Sequence, residues 1–235
     1  MDYRKAGTVT KLREISIERD YTTMSLSSVL YSSGETKVLI TTSVSDYLPR
    51  WLVGQDYGWI TAEYSMLPGS SPQRVNRASY EKGRSKEISR LIGRSLRTIV
   101  DLEKISGLSI TVDCDVIQAD GGTRTAAING AWIALKDTFE KLVEKGTIKV
   151  DPLLGQIAAV SVGILDNEIC LDLDYSQDSN ADVDLNLVMT SDGEFIEIQG
   201  TGEKKSFSQE QLKDMIAEAT RGIEKILKMQ MKEFS

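Results

Sequence analysis

Three times along the chain, two runs of strand-forming residues stand on either side of a short polar break. This repeated hairpin punctuation restricts the fold more than any other feature of the sequence. Leu26 to Tyr31 and Thr36 to Thr42 flank Ser32-Ser33-Gly34; Ala158 to Leu165 and Glu168 to Leu173 flank Asp166-Asn167; Leu185 to Thr190 and Phe195 to Gln199 flank Ser191-Asp192-Gly193. Small polar residues that tolerate positive φ, set between β-branched runs, read as turns of antiparallel pairs. A further strand is expected from Ser109 to Ile117.

Three helices stand out by spacing. From about Arg84 to Leu102, Ile88, Leu91, Ile92, Leu96 and Ile99 make an apolar stripe, with Arg90, Arg94 and Arg97 on the other side. A second helix runs from about Thr125 to Val143; its alanines and Gly130 suit a closely packed central position. The third begins at Ser208, which has capping-box spacing to Gln211, and continues through Leu212, Met215, Ile216, Ala219, Ile223 and Leu227. Strand groups separated by helices, with few βαβ alternations, indicate an α+β fold. The 235 residues hold only 4 Pro and no low-complexity linker, so a single domain over residues 1–235 is expected.

Composition narrows the chemistry. With 0 histidines, Ser-His-Asp, Cys-His and histidine-zinc sites are excluded. Catalysis must use carboxylates, arginines, a metal or the substrate itself. Cys114 and Cys170 lie in apolar strand-like segments and read as buried reduced thiols. Met1 to Lys5 lacks an apolar leader, and the longest apolar stretch, around Ile157 to Leu165, falls short of the ~20 residues of a membrane span. A cytoplasmic protein without membrane contact is expected.

The net charge of −7 hides a polarised distribution. Arg74, Arg77, Lys82, Arg84, Lys86, Arg90, Arg94 and Arg97 are set against Glu81 and Glu87 alone. Between Lys149 and Lys204 there is no Lys or Arg, and Asp172, Asp174, Asp178, Asp182 and Asp184 crowd one short run. A basic arm and an acidic pocket on one chain suit a polyanion handled with a divalent metal. Asp178 and Asp184, with Asp182 between, are candidates to gather oxygens around Mg²⁺ or Mn²⁺. The alternative for the acidic run is a solvated loop, and for the arginines a solubilising helix face.

The densest local signal is Asp113 to Ala126, a strand followed by Asp120-Gly121-Gly122-Thr123-Arg124 and a helix start. Glycines let backbone approach a ligand, amides at a helix N-terminus point at an anion, and Thr123 and Arg124 add a donor and a charge. A phosphate fits there, although the Gly-Lys-Ser/Thr ending of a P-loop is missing. Arg84 sits at a helix start, where a cation is unfavourable unless an anion accompanies it.

Taken in order, Gly58-Trp59-Ile60-Thr61-Ala62-Glu63-Tyr64-Ser65-Met66-Leu67-Pro68, then Glu87 to Arg97, the Asp113 to Ala126 segment, Asp172-Leu173-Asp174-Tyr175 and Ile198-Gln199-Gly200-Thr201-Gly202-Glu203 resemble bacterial ribonuclease PH. The likeness runs from about Leu12 to the third helix. It implies the ribosomal-protein-S5-domain-2-like α+β fold and a homo-oligomeric hexameric ring, a trimer of dimers. It also implies phosphorolytic trimming of the 3′ end of precursor tRNA, with inorganic phosphate as co-substrate and nucleoside diphosphates released.

By position the resemblance gives Arg84, Gly122, Thr123 and Arg124 to phosphate, Asp178 and Asp184 to a divalent metal and catalysis, and Arg74 and Arg77 to RNA. Several positions depart from the family pattern. Tyr3 to Gly7 lacks the usual Arg-x-Asp-Gly-Arg, the loop from Arg77 to Arg84 is short, Gly69 replaces a frequent basic residue, and Gln177 replaces the acidic residue that often precedes Asp178. Two competing readings follow: a catalytically silent RNA-binding subunit of an exosome-like ring, and an acidic metal-binding protein unrelated to RNA.

Overall fold

The computed structural model describes residues 11–77 and 83–235. Met1 to Gly7 and most of the Arg77 to Arg84 loop therefore lie outside the described residues. The elements in order are β1 (Ile15–Arg19), β2 (Ser27–Ser33), β3 (Thr36–Ser45), β4 (Trp59–Met66), α1 (Gly83–Thr98), β5 (Ser109–Gln118), α2 (Thr123–Glu144), β6 (Ile157–Leu165), β7 (Glu168–Leu171), α3 (Tyr175–Asn180), β8 (Val183–Thr190), β9 (Phe195–Gly202) and α4 (Gln209–Lys232).

All three expected hairpins form as antiparallel pairs. At the middle one, Asp166 and Asn167 both take positive φ, 51° and 65°, which matches the right-handed strand twist. A five-stranded sheet has the order β1-β2-β3-β5-β4 and a four-stranded sheet the order β7-β6-β8-β9. The β4–β5 pair is parallel, its two strands joined by a crossover through α1. The architecture is thus α+β with mostly antiparallel sheets, as expected.

Helix α1 stops at Thr98 rather than Leu102, because Asp101 caps a separate short turn over Leu102–Ile105. The capping box at Ser208 and Gln211 opens α4 as the spacing predicts. Both cysteines are free and buried. Among the described residues no helix is long and apolar enough to cross a membrane.

Helix α2 is apolar nearly all round because it packs on β2 and β3 of one sheet and β6 of the other. Strand β6 is buried on both faces: Ile157 and Ala159 join the α2 core, while Ala158, Val160 and Val162 join a second core beneath α4. The buried Asn129 clamps α2 to β6, its amide donating to the Ala159 carbonyl at 3.0 Å and its carbonyl accepting from the Ala159 amide at 2.8 Å. At Gly130 a Cβ would lie 2.4 Å from Ile40 Cδ1 and 2.9 Å from Tyr31 Cβ. Gly130→Ala therefore destabilises the fold by about 1–3 kcal/mol despite better helix propensity. A urea midpoint at or above that of the parent chain would show that the helix does not pack as closely as described.

Candidate functional site

Where the N-terminus of α2 faces α3, β8 and β9, a cleft of about 510 Å³ opens. Arg84, Gly122, Thr123 and Arg124 line it together with Asp178 and Asp184. The candidate phosphate and metal positions, far apart in sequence, thus meet in one cavity. Arg74 and Arg77 are exposed on the segment after β4 and are not among the cleft-lining side chains.

The glycine turn is held from below. Gly121 and Gly122 have φ of +73° and +62°, and a Cβ on Gly121 would lie 2.4 Å from the Leu173 carbonyl oxygen and 2.6 Å from the Asp174 carbonyl carbon. A side chain at 121 would thus push the turn off the start of α3. Thr36 Oγ1 donates to the Gly121 carbonyl at 2.6 Å and accepts from the Asp120 amide at 2.9 Å. Arg13 donates to the Asp120 carbonyl at 2.6 Å and to Asp172 Oδ1 at 2.7 Å, and Asp172 is 6% exposed. Asp172, one of the acidic run, is therefore spent on an internal ion pair with Arg13, a pairing with no local sequence signal.

Thr123 is buried and its Oγ1 lies 2.8 Å from the Tyr64 hydroxyl, which donates to it. Burial raises the Tyr64 pKa, against the opposing charges of Arg84 and Arg124. The Arg124 guanidinium donates to Gln199 Oε1 and lies 3.4 Å from Glu87 Oε1, so it joins α2, β9 and α1.

On the opposite wall, Asp174 caps α3 in a reciprocal box. The Gln177 amide donates to Asp174 Oδ1 at 2.8 Å, and the Asp174 amide donates to Gln177 Oε1 at 3.1 Å. Gln177 is thus used as a helix cap that sets the Asp178 backbone. Burial raises the Asp178 pKa, with Arg84 and Arg124 opposing and Glu203 reinforcing. Asp184 is pushed up to about 6, first by burial and then by repulsion from Asp178. Its Oδ2 accepts from Asn186 Nδ2 at 3.0 Å, while its Oδ1 is buried without a hydrogen-bond partner among the described residues.

The expectation that Asp182 joins this pair is corrected: its carboxylate is paired with Lys205 Nζ at 2.7 Å and does not line the cleft. Among the described residues no group of three or more acidic or cysteine side chains is close enough to hold a metal by itself. The basic arm is also less open than expected. Lys86 pairs with Glu63 at 3.4 Å, Arg94 with Glu197 at 2.5 Å, and Arg97 donates to the Ile60 carbonyl while covering the Trp59 ring at 4.4 Å.

Tyr64, Gln199, Asn186 and Glu203 were not singled out by charge or spacing. Tyr64, Gln199 and Glu203 lie in segments that carry the family resemblance, but nothing in their local pattern gives each a task.

The fold is that of several solved structures. Rice (Oryza sativa) Rrp46 superimposes with a TM-score of 0.77 at 18% identity, over 99% of this chain and 100% of that one. A chain of the Archaeoglobus fulgidus exosome with RNA bound to the active site gives 0.78 at 19%, over 96% and 90%. A chain of an archaeal exosome core gives 0.76 at 18%, over 94% and 88%. In the sequence itself, domain 1 of the 3′ exoribonuclease family (RNase PH) matches residues 11–139 and domain 2 matches residues 155–222. These two stretches contain both walls of the cleft, and the chain belongs to the 3′ exoribonuclease family.

Proposed function

We propose that this chain is a phosphate-dependent 3′-to-5′ exoribonuclease that trims the 3′ end of precursor tRNA and releases nucleoside diphosphates. The observation that carries the proposal is the placement of Arg84, Thr123 and Arg124 on one wall of a cleft whose other wall presents Asp178 and Asp184. Phosphate is already an anionic nucleophile, so the absence of histidine is no obstacle. The protein has to hold it in line with the scissile phosphorus and offset charge on the phosphoryl and leaving oxygens.

The first-turn amides of α2 precede its first α-helical bond, from the Ala126 amide to the Gly122 carbonyl, and are placed to donate to an anion. Arg84 and Arg124 supply charge on either side. As an oxygen of inorganic phosphate bonds to the terminal phosphorus, the P–O3′ bond breaks. The nucleoside diphosphate departs with the phosphoryl group and the shortened RNA keeps its 3′ oxygen.

The orphaned Asp184 Oδ1 and the repulsion between Asp178 and Asp184 favour a cation. Mg²⁺ takes one or two carboxylates plus substrate phosphates and keeps several waters, so this pair fits Mg²⁺ or Mn²⁺ held partly by substrate. Bound there, it would neutralise charge that develops on the phosphoryl group. Arg74 and Arg77 are assigned to RNA outside the cleft.

We further propose one cooperative unit over the whole chain, cytoplasmic, assembled as a homohexameric ring. Packing of α2 against both sheets supports the first point, and likeness to exosome chains supports a ring. The same likeness favours a second reading, an RNA-binding ring subunit without activity. The deciding experiment incubates the purified protein with 3′-extended tRNA and Mg²⁺, with and without phosphate. Diphosphates formed only with phosphate are expected. Monophosphates would mean hydrolysis, and no product from an assembled ring would favour the silent subunit.

A further inference from the structure

Tyr64 touches both elements that form the phosphate wall, and each contact leaves it by a different group. Its backbone amide donates to Ser89 Oγ at 2.9 Å, which fixes β4 to α1 five residues beyond Arg84. Its hydroxyl reaches the first residue of α2 and donates to Thr123 Oγ1 at 2.8 Å. Ser89, Tyr64 and Thr123 are 6%, 3% and 8% exposed, so water competes little for these bonds. Tyr64 sits near the C-terminal end of β4, opposite Cys114 of the parallel strand β5, and shares the buried face of β4 with the core residues Ile60 and Ala62. A phenylalanine would satisfy the packing at that position equally well. The hydroxyl is the part that needs a reason, because burying it requires a partner.

The direction of this hydrogen bond has a chemical consequence. A threonine hydroxyl has one hydrogen to give and lone pairs to receive. When Tyr64 donates to Thr123 Oγ1, the Thr123 hydrogen is released from that axis and is free to point into the cleft between Arg84 and Arg124. Were Tyr64 the acceptor, Thr123 would offer a lone pair to an incoming anion and repel it.

We infer that Tyr64 is a positioning residue for the phosphate site, acting through Thr123 by fixing its hydroxyl as a donor. The inference rests on the proposed phosphorolytic role of the cleft.

The test is Tyr64→Phe, which keeps the ring and removes one oxygen, read beside Thr123→Val and the double variant. Tyr64→Phe should raise the KM for phosphate by up to about tenfold, because the Thr123 hydroxyl keeps its hydrogen but loses the partner that aims it into the cleft, with the KM for RNA moving less than about twofold. Thr123→Ser, which keeps the hydroxyl, should retain sensitivity to Tyr64→Phe; in Thr123→Val that sensitivity should vanish. Equal losses in RNA binding, phosphate binding and thermal stability, adding independently of residue 123, would reduce Tyr64 to a structural residue and overturn the inference.

Binding of radiolabelled inorganic phosphate by equilibrium dialysis separates the two levels. A parent chain that binds phosphate without phosphorolysis defeats the proposed function, while Tyr64→Phe should still weaken that binding by up to about tenfold. A parent chain that binds no phosphate, or a Tyr64→Phe protein that binds it as tightly as the parent, defeats the inference itself.

Discussion

Arg84→Ala is expected to lower kcat/KM for phosphate by about 10²–10³-fold while the unfolding transition stays where it is. Arg84 is exposed at the mouth of the cleft and contributes nothing to either core, so its removal leaves no cavity. Its charge reaches Tyr64 on one side and Asp178 on the other, which places it between the two walls. A bidentate guanidinium there would neutralise phosphate and set its orientation, and a lysine would supply charge without the fork. Arg84→Lys should therefore recover only part of the loss. Steady-state rates measured across a range of phosphate concentrations decide the matter: parental rates at limiting phosphate would remove Arg84 from the site.

Asp184→Asn should act in the opposite way on two observables. Activity falls about 10³-fold and added phosphate does not restore it, because the missing element is charge stabilisation worth several kcal/mol rather than occupancy by the nucleophile. Stability rises. The folded-state pKa of Asp184, about 6, lies above its ordinary 3.8, so the native protein holds this proton more tightly than the unfolded chain. Ionising the group then costs stability: the penalty is absent well below pH 3.8, where both states are protonated, grows as pH rises from there, and is complete above about pH 6. At 1.36 kcal/mol for each unit, the asparagine should gain on the order of 3 kcal/mol at pH 7.5 in EDTA, and the gain should fade as pH drops toward 4. Urea titrations at several pH values read this directly. Full recovery of activity at high phosphate would sink the catalytic assignment, and an unchanged urea midpoint at pH 7.5 would sink the account of a strained carboxylate.

Much of the fold was legible because local chemistry and tertiary structure agree in it. Asp166-Asn167, the Ser208 and Gln211 cap and the Ile88-Leu91-Ile92 stripe each carry their own geometry, and each appears where expected. What escaped was short or tertiary in origin. Helix α3 has six residues and no buried side chain, so periodicity could not reveal it; only the Asp174 and Gln177 spacing marks its start. Strand β1 alternates between half-buried and exposed, and β4 owes its place to a parallel partner fifty residues on. Within the site, the glycine turn and the aspartates were visible as types in a pattern. The diversion of Asp172 to Arg13 and of Asp182 to Lys205 was not, since each partner is distant in sequence or lies across a turn. Acidic clustering along the chain thus overstated the charge that the cleft receives.

The near contact of Gly121 with the backbone at Leu173 and Asp174 bears on how such chains can diverge. It makes the N-terminal stretch and the C-terminal stretch two faces of a mould, each shaped against the other beside the cleft proposed to take substrate. Exchanging the segment after residue 145 for that of a relative would preserve every residue assigned to each wall and still misalign them, unless the Gly121 turn and the 172–174 bend travelled together. A functional hybrid between relatives should therefore require both sides of that contact from the same parent, whatever the similarity of the remainder.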